Sequence, residues 1–590
     1  NDPDIFLAAA MVSHATAGGN ICLNLATVAG NLLNGSAEYQ DAVVCPQLDV
    51  WLEKLKAHPA VGHPGEKCPL ILDAKNRFYL YRYWDYENTL SKSIETRISG
   101  NIADLDLQGL KKSLDRLFPK SEKPEINWQK IAATVACLRP FSVITGGPGT
   151  GKTFTVTKVL ALLLEQARAK IRQIYLAAPT GKAAARLKES LEHAKGHMNC
   201  NDAVKAGIPS DVFTVHRLLK PIKGSPYFHH DRDNPLMAEV VVVDEASMVD
   251  LALMAKLFQA VPESARLILI GDKDQLASVE AGSVLGDICD RGKMHGFSVS
   301  FMDRIKALTG EDLNRKVNAS DKGSGLQDSI VVLQKSYRFD ADSGIGGLSR
   351  TVNRADADRA IGILEDSEDK SINWQQLNPN GDLIATLSRQ IVSGYQAYLK
   401  TRDPEKALWR LQRFKILCAL NVGPLGVQAV NKLAEQVLSR QNLIQMDPMA
   451  ESPWYAGRPV LITRNYYPLG LYNGDIGITM PGAGAGEKDL YVYFPEETGG
   501  VRRFQTHQLP EHETVYAMTV HKSQGSEFDE VLLILPDKDF SILTRELIYT
   551  ALTRARKKIR IWGNQSIIRN AIERKIERTS GLRDALWGDR

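Results

Sequence analysis

Two stretches carry the residue types that chemistry on phosphates requires. Gly146-Gly147-Pro148-Gly149-Thr150-Gly151-Lys152-Thr153 fills every fixed position of the pattern G-x-x-x-x-G-K-[ST]. Glycines there let successive backbone N–H groups turn inward onto a phosphate. Lys152 is placed to reach the β- and γ-phosphates, and Thr153 to offer its hydroxyl to Mg²⁺. Further on, Val240-Val241-Val242-Val243-Asp244-Glu245-Ala246-Ser247 delivers two carboxylates behind four valines. Asp244 is expected to share the Mg²⁺ with Thr153, directly or through water, and Glu245 to accept a proton from an attacking water. The chemistry so predicted is hydrolysis of a nucleoside triphosphate.

Other residues fit the same reaction. Gln275, in Gly271-Asp272-Lys273-Asp274-Gln275-Leu276, has an amide able to bond either the γ-phosphate or the attacking water. Gln129, seventeen residues ahead of Gly146, could bond an adenine edge with its amide, and a solvated glutamine fits the position equally well. Arg338 and Arg554 are expected to reach the γ-phosphate as fingers from a second lobe. Thr519-Val520-His521-Lys522-Ser523-Gln524-Gly525 gathers hydroxyls, a histidine and a lysine round a glycine, a phosphate-contacting composition.

Positioning these groups requires strand, loop, helix in order. Residues 141–145 read as a buried strand and 154–170 as the helix after the glycine loop. Residues 174–178, 240–243 and 267–270 give further strands, each opening onto a polar loop, as ligand sites in open parallel sheets require. The same rhythm returns at 331–333, 415–420, 531–535 and 559–562 without a second glycine loop, which predicts a second lobe. Residues 546–556 read as a helix with basic residues at its end. Short strands at 459–464, 476–480 and 490–494, with an Asn473-Gly474 turn and a glycine-rich loop at 481–486, predict a small β-barrel insertion.

The first 118 residues contain no nucleotide motif and read as a separate module. Residues 6–13 form a helix candidate, and 70–73 and 77–84 two strands. Alternation would set Phe78, Leu80, Arg82 and Trp84 on one face and Tyr79, Tyr81, Tyr83 and Asp85 on the other. Such a doubly aromatic strand serves a core with a tyrosine face, a protein partner, or base stacking, in that order. Prolines and charges at 118–124 predict a linker, and 318–325 a flexible loop. The expected domains are 1–118, 119–350 with the glycine loop, and 351–590 with a β-rich insertion near 455–512.

A formal net charge of +4 over 590 residues neither supports nor excludes nucleic acid. The seven cysteines show no C-x-x-C pairing, so reduced, structural thiols are expected. No apolar run is long enough to span a bilayer, and a cytoplasmic location is expected. Asn1 is not an initiator methionine, so leading residues are expected before it.

In order, GGPGTGKT, APTGKAAARL, TVHRLL, VVVDEAS, GDKDQL, QKSYRF, TVHKSQGSEFD and YTALTRAR resemble the helicase motifs of superfamily 1 over residues 129–556. The wording is most similar to the RecD helicases. The N-terminal segments LAAA, PLILD and LYRYW resemble the alpha subunit of the RecBCD exonuclease V complex, whereas stand-alone RecD-like helicases usually carry a longer, differently patterned N-terminal extension. The resemblance implies two RecA-like α/β motor lobes of the P-loop NTPase class, an SH3-like β-barrel in the second, and a separate N-terminal domain. It implies an ATP- and Mg²⁺-dependent 5′-to-3′ DNA helicase acting in double-strand break repair with RecB-like and RecC-like subunits, docked through the N-terminal domain. By the same likeness Gln129 contacts adenine, and Thr180, Lys182, Thr214, His216, Thr519 and His521 grip single-stranded DNA. No nuclease carboxylate cluster is apparent, so nuclease activity is expected of a partner. An independent repair helicase, or a structural subunit with a switching ATPase, are the alternative readings.

Overall fold

The computed structural model describes residues 2–33, 43–100, 102, 105–119, 125–166, 171, 173–290, 296–313, 325–338, 344–366, 369–376, 383–446, 452–482, 489–496 and 499–588. The expected loop at 318–325 before Gly325, residues 120–124 of the expected linker and residues 483–486 of the glycine-rich loop lie outside them.

At the N-terminus, β1 (Leu23–Asn24), β2 (Val61–Gly62), β3 (Leu70–Leu72) and β4 (Arg77–Leu80) form a four-stranded sheet in the order β1-β4-β3-β2. The helices Pro3–Ala17 and Leu48–Ala57 share its core of Ile5, Val12, Trp51, Leu55 and Phe78. Here one expectation is corrected. The second strand stops at Leu80, and Tyr81–Ser99 is a helix. Leu90, Ile94 and Ile98 recur at helical spacing and bury against the first lobe, so burial along that stripe outweighs the strand preference of Tyr81, Tyr83 and Trp84. The two expected aromatic faces therefore do not exist.

The first lobe is a six-stranded, all-parallel sheet of β5 (Phe141–Gly146), β6 (Ile174–Ala178), β7 (Val212–Thr214), β8 (Val240–Val243), β9 (Arg266–Gly271) and β10 (Ile330–Leu333). Its order is β10-β5-β9-β8-β6-β7. The valines of β8 show why it is buried on both sides. Val241 and Val243 join the core that includes the helix Tyr81–Ser99, and Val240 and Val242 join the opposite core with the helices Trp128–Leu138 and Lys152–Gln166. The helix Leu107–Leu117 and Phe118 pack into that second core as well. Because all six strands run the same way, the loops after β5, β6, β8 and β9 emerge at one edge of the lobe.

The second lobe places β11 (Ile372–Gln375) and β12 (Phe414–Cys418) before the insertion. The insertion consists of β13 (Pro459–Ile462), β14 (Ile476–Pro481), β15 (Leu490–Pro495), β16 (Val501–Gln505) and β17 (His512–Thr514). The lobe resumes with β18 (Ala517–Thr519), β19 (Phe528–Ile534) and β20 (Ala555–Trp562), giving a parallel sheet in the order β11-β20-β19-β12-β18. The insertion is antiparallel in the order β16-β15-β14-β13-β17, and among the described residues no pairing joins its outer strands into a barrel.

Two further expectations change. The strand β10 pairs with β5, so Arg338, which follows it, belongs to the first lobe and not the second. The helix expected over 546–556 is Arg545–Leu552; Arg554 sits in the following turn and Arg556 in β20. The chain then returns from the second lobe. Thr579 O accepts from the amides of Ile21 and Cys22, and Leu582 and Leu586 enter the core shared by the first lobe and the helix Tyr81–Ser99. None of the seven cysteines is disulfide-bonded, and no described helix is long and apolar enough to cross a membrane.

Candidate nucleotide cleft and DNA-facing loops

The loop after β5 folds as its glycines require. Gly149 and Gly151 hold φ of 73° and 76°, the left-handed region that costs other residues most. Thr150 Oγ1 donates to Gly147 O at 2.8 Å, and Lys152 Nζ donates to Gly146 O at 2.7 Å and Gly147 O at 3.1 Å. The loop thus keeps its ammonium over its own carbonyls. The segment after β10 lies against it: Tyr337 N donates to Gly149 O at 2.7 Å, and Ser336 Oγ to Pro148 O at 3.1 Å.

A cavity of about 610 Å³ opens between the lobes. Pro148 to Thr153, Asp244, Glu245, Gln275, Arg338 and Arg554 all line it, so the predicted hydrolytic residues converge from both lobes. Asp244 Oδ1 accepts the Glu245 amide at 2.8 Å. Burial, and then the charge of Glu245, push the Asp244 carboxyl up to about 6. Glu245 itself has a φ of 49°, a strained backbone for a glutamate directly behind the buried valine strand. Gln275 Nε2 donates to Asp272 Oδ2 at 3.0 Å, and the same oxygen accepts from Tyr549 Oη of the second lobe at 3.0 Å. Leu276 N donates to Thr550 Oγ1 at 2.9 Å, and Gln524 Nε2 to Leu276 O at 2.8 Å. The loop after β9 is therefore bonded to the second lobe on both sides of Gln275.

The arginines differ in state. Arg554 is buried, with Nε on Thr550 O at 3.1 Å, Nη1 on Ser526 O at 3.1 Å and Nη2 on Thr553 Oγ1 at 3.2 Å. Arg338 Nη2 donates to Glu527 at 2.5 Å, while its Nη1 is buried with no partner. An unpartnered guanidinium nitrogen in a phosphate-loop cavity fits an anionic phosphate.

Gln129, Gly146 and Gly147 lie outside the cavity lining. Gln129 Nε2 donates to Thr150 O at 3.0 Å, so it braces the loop, and it stands beside Gly151 as Tyr337 does. Sequence reasoning passed over four residues. Tyr337 is 66% exposed beside Gly151, a ring suited to stacking on a base. Tyr549, Arg186 and Glu527 also act at the cleft. All four lie inside the quoted segments QKSYRF, APTGKAAARL, TVHKSQGSEFD and YTALTRAR, but the partners that bring Arg186, Glu527 and Tyr549 to the cleft are distant in sequence.

The expected DNA residues fall in two groups. Thr180 follows β6 by two residues and Thr214 ends the neighbouring β7, and each caps the helix after it: Thr180 Oγ1 accepts from Ala183 N, and Thr214 Oγ1 from Arg217 N, both at 3.2 Å. Thr519 ends β18, and its hydroxyl accepts from Lys522 N at 3.2 Å. Burial lowers the titration of both His216 and His521 from the usual histidine range. Burial also lowers Lys182, to about 8, against the opposing charge of Asp475 from the insertion.

Two parallel-sheet lobes closing on one phosphate loop, with arginines gathered at their junction, define a nucleotide-driven motor of the helicase class. The chain belongs to the family of the RecBCD enzyme subunit RecD. The family model "RecBCD enzyme subunit RecD, N-terminal domain" matches residues 1–79, an AAA domain model 129–281, and a UvrD-like helicase C-terminal domain model 514–562. The chain is 34% identical over 571 residues to the RecBCD enzyme subunit RecD of Haemophilus influenzae, covering 92% of this chain and 86% of that one. It is 37% identical over 593 residues to the subunit of the same name from Mycobacterium tuberculosis, covering 99% and 91%. With the ATP-dependent RecD2 DNA helicase of Deinococcus radiodurans it shares 30% identity over 442 residues, which is 74% of this chain and 48% of that protein.

Proposed function

We propose that this chain is the ATP-driven DNA helicase motor of a RecBCD-type helicase–nuclease, moving 5′ to 3′ on single-stranded DNA during recombinational repair of double-strand breaks. One observation carries the reading: Lys152, Thr153, Asp244, Glu245, Gln275, Arg338 and Arg554 line a single cavity between two lobes that are bonded through the loop after β9. Lys152 would leave its loop carbonyls for the β- and γ-phosphates. Gln129 and Tyr337 would hold the adenine, and Glu245 would take the proton from water. Thr153 and Asp244 are the residues that would hold a Mg²⁺, an ion usually bound by one or two protein oxygens together with substrate phosphates. Such an ion neutralises charge on the transferring phosphoryl group.

Lobe closure on ATP and reopening after hydrolysis would move two grips along the strand, one at Thr180, Lys182, Thr214 and His216, the other at Thr519 and His521. These are backbone contacts, which carry no base sequence information. Nuclease activity would belong to a RecB-like partner, and the work would take place in the cytoplasm. The functional units would be 1–118, 119–350 and 351–590, with the insertion near 455–512. Docking on a RecC-like partner through the N-terminal unit is supported by the outward-facing Phe6, Leu32, Val43, Val44 and Val50.

ATP hydrolysis by the isolated chain with and without single-stranded DNA tests the motor. DNA-stimulated turnover that Lys152→Gln abolishes supports it; turnover indifferent to DNA contradicts it. Co-purification with RecB- and RecC-like subunits that Phe6→Asp weakens supports N-terminal docking.

A further inference from the structure

The arginine cluster of the cleft has its own anion. Glu527, in the loop leading into β19 of the second lobe, is 7% exposed and lines the same cavity as the phosphate loop. Its Oε1 accepts from Nη2 of Arg338 at 2.5 Å and from Nη2 of Arg186, on the first-lobe helix Gly181–Gly196. Its Oε2 accepts from Nε of Arg556 at 3.1 Å. Two of these three guanidiniums come from the opposite lobe, so the carboxylate ties the lobes together across the nucleotide site.

The local charge is unbalanced. Arg186 also feels Glu245 and Asp244, and Arg554 feels both Glu245 and Glu527. Four arginines nonetheless converge here, and Glu527 is the acid that bonds three of them directly, Arg186, Arg338 and Arg556. Burial would raise the Glu527 carboxyl, but Arg186 and Arg338 more than reverse this and hold it at about 2. It is an anion at any working pH. Charge-assisted bonds of this kind are short and directional, and fix a planar guanidinium more firmly than packing does.

We propose that Glu527 is a positioning residue and internal counter-anion: it pins Nη2 of Arg338, leaves the buried, unpartnered Nη1 for the triphosphate, and competes with that triphosphate for the arginines of both lobes. ATP entering the cavity then draws on charge that Glu527 otherwise satisfies, so nucleotide binding loosens one tie between the lobes as it forms another. This rests on the reading that the cleft hydrolyses ATP.

The two effects pull the kinetic constants in opposite senses. Removing the charge frees the arginines and tightens nucleotide binding. It also unfixes Arg338 and slows the chemical step, and a mutation that lowers kcat and KM together has removed ground-state competition rather than a substrate contact. The test is DNA-stimulated ATP hydrolysis by the full chain, with direct binding of a non-hydrolysable ATP analogue. For Glu527→Gln, which preserves shape and one acceptor oxygen, binding should tighten about threefold or more and kcat fall about tenfold or more. Glu527→Asp, which restores the charge, should return affinity to the wild-type value while recovering part of kcat. A raised KM with unchanged kcat in Glu527→Gln would overturn the inference, making the carboxylate a nucleotide contact. Equal losses in both glutamine and aspartate variants would overturn it in favour of a purely structural role. Wild-type turnover sensitive to Lys152→Gln checks the underlying reading separately. Without it the ATPase assignment fails; with it, and with no opposed movement of affinity and kcat, only the role of Glu527 fails.

Discussion

Tyr472 of the insertion sits against Gly181 of the first lobe so closely that a methyl group at Gly181 would lie 2.8 Å from both its Cβ and its Cγ. The tyrosine hydroxyl accepts from Arg217 Nη1 at 3.4 Å, and Asp475 from the same turn acts on the half-buried Lys182. The insertion thus covers the start of the helix that carries two of the proposed strand-gripping residues, Thr180 as its cap and Lys182 in its first turn. Gly181→Ala is expected to force the turn away. Overpacking typically costs about 1–3 kcal/mol, so amide exchange over residues 471–475 should speed by about fivefold or more. In a Tyr472→Gly background, which removes both atoms, the same substitution should add little. Unchanged exchange in Gly181→Ala would refute the contact.

Glu527 predicts a particular acid limb. Its carboxyl titrates at about 2 in the folded chain against 4.5 unfolded, so the unfolded chain binds more protons between those values. The stabilisation is whole above pH 4.5 and is lost as pH falls toward 2, with a total of about 3 kcal/mol. Thermal melting of wild type and Glu527→Gln should therefore differ most above pH 4.5 and converge as pH falls from 4.5 toward 2. A constant offset across that window would contradict the pairing.

Gly149→Ala addresses the loop itself. The position has a φ of 73°, and an added methyl would collide with Cβ of Arg338. ATP affinity measured by calorimetry should fall at least about tenfold, while single-stranded DNA binding without nucleotide stays near the wild-type value.

Salt dependence separates the residues proposed to grip DNA. Replacing a lysine that neutralises a phosphate lowers the slope of log K against log salt by about one. Lys182→Ala should show that change at pH 7. Burial keeps the His216 and His521 imidazoles below the usual histidine range, so His216→Gln and His521→Gln should weaken binding without altering the slope. A slope change in the histidine variants would mean that they bind as cations.

Much of the cleft was legible because its chemistry is local in sequence. The glycine loop, the valine strand with Asp244 and Glu245, and the strand before Gln275 each declare themselves within eight residues, and the structure forms them as β5, β8 and β9. What sequence hid depends on distant partners. The strand β10 reads as the start of a second lobe until it pairs with β5 across nearly the whole first domain, which moves Arg338 to the other side of the cleft. The aromatic run Tyr81 to Trp84 has strand composition, but the stripe Leu90, Ile94 and Ile98 downstream decides for helix. Glu527 looks like one acid among many until folding brings it to Arg186 and Arg338, 341 and 189 residues away.

The most direct test of the central claim is unwinding of duplexes bearing either a 5′ or a 3′ single-stranded tail, with Lys152→Gln as control. ATP-dependent unwinding from the 5′ tail alone, lost in the control, is the predicted result. Unwinding from the 3′ tail alone would contradict the proposed direction of travel, and unwinding that survives Lys152→Gln would contradict the motor itself.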